Sequence, residues 1–82
     1  MEKQVTINAI TYTVREAKIR DMMQFMNLIS EDPQKFQLEL AKASVCTPDG
    51  QLLGDALLDL GIKAYSDLVG PVMEANGFLT QS

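Results

Sequence analysis

From Val5 to Val14 apolar and polar residues alternate strictly on both sides of Asn8-Ala9. This is the pattern of two half-buried strands joined by a two-residue turn. It sets Ile7 opposite Ile10, Val5 opposite Tyr12 and Lys3 opposite Val14 on one face, with Thr6 opposite Thr11 and Gln4 opposite Thr13 on the other. A slip of one residue in either strand would mix the two faces, so the pattern selects its own register. The turn needs a left-handed backbone at both central positions, which costs Ala9 roughly 1 kcal/mol relative to a glycine.

Past the hairpin the period changes. Ala17 and Ile19 read as the last apolar positions of a continuing second strand, and Asp21 as a helix N-cap. Met22, Phe25, Met26 and Ile29 fall at i, i+3, i+4 and i+7 and predict a helix over 21–31, widened by Met23 and Leu28. Asp32-Pro33 restarts a helix over 33–45 with the stripe Phe36, Leu40 and Ala43. Thr47-Pro48-Asp49-Gly50 is a turn, a short helix follows over 55–60, and a last one spans 62–76. That last helix carries Tyr65, Leu68, Val69, Val72 and Met73 on one stripe. Gly70-Pro71 either kinks or splits it, and Asn76-Gly77-Phe78 closes it in a Schellman-type cap with Phe78 on Met73. The expected fold is α+β in a single domain over 1–82: a two-stranded antiparallel hairpin, its Val5/Ile7/Ile10/Tyr12/Val14 face covered by three to four helices.

Composition narrows the chemistry. The 82 residues include no His, one Cys and no Trp. A structural zinc site needs about four N/S ligands, so no metal site is expected, nor any cofactor. Cys46 has no basic neighbour to make it a thiolate and reads as a small hydrophobe. Asp55 and Asp59 share a face at i, i+4, but solvated carboxylates there are no acid–base pair without a cleft to separate them. The net charge of −4 argues against nucleic-acid binding. No apolar run is long enough for a membrane span or secretory signal, so the expected setting is cytoplasmic.

One feature exceeds what a small core requires. Met22, Met23, Phe25, Met26, Leu28 and Ile29 put six apolar residues into eight, more than one helix face presents to a core. Three are methionines, the adaptable side chain of promiscuous surfaces. Met22, Met23, Phe25, Met26 and Ile29 are therefore candidate protein-binding residues. The alternative is that the helix is sandwiched between hairpin and terminal helix and buried.

The order of parts carries a resemblance. The hairpin Val5-Thr6-Ile7-Asn8-Ala9-Ile10-Thr11-Tyr12-Thr13-Val14 leads into Arg15-Glu16-Ala17-Lys18-Ile19-Arg20-Asp21. An acidic helical body follows, then Pro48-Asp49-Gly50 and the closing Val72-Met73-Glu74-Ala75-Asn76-Gly77-Phe78. This layout resembles the small tail assembly chaperones of long-tailed bacteriophages and prophages, with Ala9 where an Asn-Gly turn is expected. The resemblance implies a non-enzymatic protein of the host cytoplasm, absent from the mature virion. Such a chaperone binds the tape-measure protein, keeps it soluble and helps recruit tail-tube subunits. A structural tail or connector component, or a small acidic regulator of a phage or host protein, are the other expectations. The oligomeric state is left open.

Overall fold

The computed structural model describes residues 2–78. β1 (Lys3–Ile7) and β2 (Ile10–Val14) form the hairpin in the register that the alternation selects, from Ile7 opposite Ile10 to Lys3 opposite Val14. Asn8 and Ala9 take φ of 51° and 69°, the left-handed pair that matches the twist of the strands. β2 ends at Val14; residues 15–18 do not continue it.

Five helical segments and a third strand follow. α1 (Ile19–Met22) and α2 (Leu28–Glu31) replace the single helix expected over 21–31, and Lys18 rather than Asp21 stands at the N-cap. α3 (Pro33–Lys42) begins where Asp32 accepts the Lys35 N–H at 3.2 Å. It stops three residues before the expected end, because Val45 and Cys46 are taken into β3 (Val45–Cys46). β3 pairs antiparallel with β2, so the sheet has three strands in the order β1-β2-β3 rather than two. The Thr47–Gly50 turn folds the chain back, with Gly50 at φ 89°, and Leu52 bridges Cys46. Gly54–Asp59 is a 3₁₀ helix, which puts Asp55 and Asp59 on different faces. α4 (Ile62–Ala75) runs through Pro71 as one helix.

The helices cover one face of the sheet. Val14, Leu40, Val45, Leu57, Leu68 and Val72 form a contiguous core with Tyr12 and Phe36, and Val5 and Ile7 pack on its rim. Ile10 lies outside it at 43 % exposure. Among the described residues no helix is long and apolar enough to cross a membrane.

The C-terminus of α4 is held by two devices. Gly77, at φ 79°, donates to Glu74 and Phe78 donates to Met73, which is the Schellman geometry. Phe78 then sets its ring edge-on to Phe36, 5.5 Å between centroids, rather than only folding back on Met73. Beside it the Asn76 amide joins three parts of the chain. Its Oδ1 accepts the Ala17 N–H at 2.8 Å, and its Nδ2 donates to Ser44 Oγ at 3.0 Å and to the Val72 carbonyl at 2.8 Å. Ser44 is fully buried, and its own carbonyl accepts the Arg15 N–H at 3.0 Å.

Two stability measurements check this account. Asn76→Ala leaves the Ser44 hydroxyl and the Ala17 N–H without their partner. It should lower the unfolding free energy by about 2–4 kcal/mol in urea titration, with faster amide exchange at Ala17. Ala9→Gly relieves a left-handed alanine at an exposed turn and should raise stability by about 0.5–1 kcal/mol.

Candidate protein-binding surface

The segment from Ile19 to Glu31 is where the structure departs most from simple periodicity. Its hydrogen bonds tighten from i→i−4 to i→i−3: Gln24 N–H to Asp21, Phe25 to Met22, Leu28 to Phe25 and Ile29 to Met26, at 3.0–3.2 Å. With about three residues per turn, side chains three apart stand above one another. The apolar residues therefore separate into two lines instead of one stripe. Met22, Phe25 and Leu28 face inward: Phe25 is buried, and the other two are half-buried against the core. Met23, Met26 and Ile29 form the adjacent line and face water, 69 %, 48 % and 43 % exposed. Gln24 and Asn27, both exposed, begin the third, polar line.

Phe25 fixes the orientation of the whole segment. Its ring lies 5.7 Å from that of Phe36 on α3, in a tilted arrangement that aromatic quadrupoles favour. Of the five residues singled out by sequence, Phe25 and Met22 anchor the segment, and Met23, Met26 and Ile29 are the ones offered to solvent. Ile19 joins them. It is 78 % exposed, and its carbonyl accepts the Met23 N–H at 2.9 Å, one helical turn away. Alternation continued past Val14 reads Ile19 as a strand position, whereas it opens α1. The i, i+4 spacing of Ile19 and Met23 was the available signal, hidden by the charged residues between Val14 and Asp21.

The polar flank of the same segment borders α3. Gln24, Phe25, Asn27, Lys35 and Glu39 line an open groove of about 370 Å³. A second depression of about 210 Å³ adjoins it beside Asp21, Lys42 and Leu52. Lys42 caps that end with ion pairs to Asp55 at 3.0 Å and Glu39 at 3.4 Å. The hydrogen bond to Asp55 holds the Lys42 ammonium above the usual lysine pKa; partial burial pulls against it and the Glu39 charge adds to it. Asp55 is thereby engaged with Lys42 rather than paired with Asp59. Half-burial of Tyr65 on α4 likewise raises its phenol pKa.

Among the described residues no group of three His, Cys, Asp or Glu side chains is placed to hold a metal ion. Cys46 is buried, with Sγ 3.9 Å from the Ser44 carbonyl. Four exposed large apolar side chains, Ile19, Met23, Met26 and Ile29, fall on this one segment; Leu58 and Ile62, near the start of α4, are exposed as well. Comparison with protein-family models, with curated proteins and with solved structures finds no match to this chain.

Exposure along the ridge is directly measurable. Dilute hydrogen peroxide converts accessible methionine thioethers to sulfoxides. Peptide mapping should find Met23 and Met26 oxidised before Met22 and Met73; Met22 reacting as fast as Met23 would mean that the two lines are not separated.

Proposed function

We propose that this protein is a non-enzymatic tail assembly chaperone, which binds the tape-measure protein and keeps it soluble until tail-tube subunits surround it. One observation supports the reading above the others: four large apolar side chains, Ile19, Met23, Met26 and Ile29, face water along one short segment anchored by Phe25. A long helical client exposes an amphipathic face until its tube assembles. A ridge of two methionines between two isoleucines repacks against such a face without demanding one sequence.

The energetics suit a temporary holder. Fully burying one exposed side chain of this kind contributes about 1.5–3 kcal/mol. The four are 43–78 % exposed, so covering them contributes about 4–7 kcal/mol in all, at the low end of the cost of joining two molecules, about 4–15 kcal/mol. The resulting complex is reversible, so polymerising tube subunits displace the chaperone by competition alone. Its net charge of −4 keeps the free protein dispersed while the ridge is uncovered.

Co-expression with a tape-measure fragment tests the reading. The fragment should become soluble with the unaltered chain and return to the pellet with Met23→Glu or Met26→Glu, each of which keeps its circular dichroism spectrum. Phe25→Glu should instead unfold the domain, because a buried unpaired carboxylate costs several kcal/mol. A fragment equally insoluble with and without this protein would overturn the proposal. Mass spectrometry of purified virions separates it from a structural tail component, since an assembly factor is absent from the particle.

A further inference from the structure

Asn76 and Gly77 together carry a chemistry that the fold holds in check. An asparagine followed by glycine loses ammonia readily, because the next residue has no Cβ to crowd the attacking backbone nitrogen. The Gly77 nitrogen bonds to the Asn76 Cγ and gives up its proton, the Cγ–Nδ2 bond breaks, and Nδ2 leaves as ammonia. Water then opens the cyclic imide at one carbonyl or the other, leaving aspartate or isoaspartate. The other two asparagines, Asn8 and Asn27, precede Ala9 and Leu28, whose side chains hinder the same attack.

The closed junction of Asn76 with Ala17 and Ser44 opposes this reaction. Ring formation needs the Gly77 nitrogen swung round to the Asn76 Cβ, whereas a ψ of 5° sets it beside the Asn76 nitrogen instead. Turning that bond would carry away what lies beyond it. The Gly77 N–H would leave Glu74 at 3.1 Å, the Phe78 N–H would leave Met73 at 2.9 Å, and the Phe78 ring would leave Phe36. The departing Nδ2 is itself held by Ser44 Oγ and the Val72 carbonyl. The Ala17 N–H, 2.8 Å from Oδ1, polarises the Cγ carbonyl and by itself would assist attack. Backbone geometry overrides it, since a polarised carbon that the nucleophile cannot reach does not react.

We infer that Asn76 is a conformation-gated deamidation site: it keeps its amide while the junction is closed, and a chain that opens there is converted to a form that cannot close it again. A carboxylate only accepts hydrogen bonds, so an aspartate at this position repels the Val72 carbonyl where Nδ2 donated to it at 2.8 Å. It also places a negative charge on the C-terminus of α4, the end that the helix dipole makes negative. Isoaspartate adds a methylene to the main chain, which displaces Gly77 and Phe78 from their partners on α4. Opening is reversible and the modification is not, so the site records each excursion in one direction. The inference is independent of the client-binding reading, since the ridge and this junction share no residue.

Ageing the full chain at mildly alkaline pH, with and without unfolding urea, tests the site by peptide mapping. In urea Asn76 should convert ahead of Asn8 and Asn27. In buffer alone its conversion should slow roughly tenfold or more, set by how seldom the junction opens. Asn76→Asp stands in for one product. It should unfold at lower urea than the unaltered chain and speed amide exchange at Ala17 roughly tenfold; failure to fold is the extreme of the same result. Conversion of Asn76 at equal rates in buffer and in urea overturns the inference, as does an Asn76→Asp protein that matches the unaltered chain in urea midpoint and in Ala17 exchange.

Discussion

Three stretches of chain that are far apart in sequence meet at one side-chain amide. Asn76 closes α4, takes the Ala17 N–H as the chain leaves the sheet, and donates to Ser44 at the corner between α3 and β3. Each contact is ordinary in strength, and together they approach a third of the roughly 4–12 kcal/mol expected of an 82-residue domain. Their effect is geometric as much as energetic. Ser44 is fully buried, so its hydroxyl must have a partner, and the Asn76 amide supplies it from α4. The contact ties α4 to the corner where α3 gives way to Val45 and Cys46, which pair with β2 over Val14.

Against α3, residues 19–31 bury one line of side chains, with the Phe25 ring set on Phe36. An α-helix would spread six apolar residues over a broad arc. Tighter winding sorts them into an inward line of Met22, Phe25 and Leu28 and an outward line of Met23, Met26 and Ile29. Burial of the first line is what holds the second in water. Anchoring and exposure are thus served by neighbouring residues of one segment.

The ridge offers dispersion and apolar area without hydrogen-bond demands. Lys3 connects β1 to the rest of the fold, because the ion pair with Glu74 ties the strand to the helix that Asn76 terminates.

Local chemistry made much of this legible in the chain. The hairpin register follows from alternation between Val5 and Val14. The Asp32-Pro33 start, the Thr47–Gly50 turn and the Asn76-Gly77-Phe78 cap follow from side chains that satisfy or free their own neighbouring backbone. Each depends on interactions only a few residues apart. What the chain could not declare was settled at long range. Val45 and Cys46 continue a helical pattern locally, yet β2 offers them backbone partners that a helix end would have to find in water. Ile10 belongs to the apolar face of its hairpin, yet the packed elements leave it exposed beside the turn. The apolar surplus of residues 22–29 was visible as a count, but its division into buried and exposed lines was not. Periodicity reports which residues are apolar, whereas the space between packed elements determines how tightly a segment must wind and which side chains it turns inward.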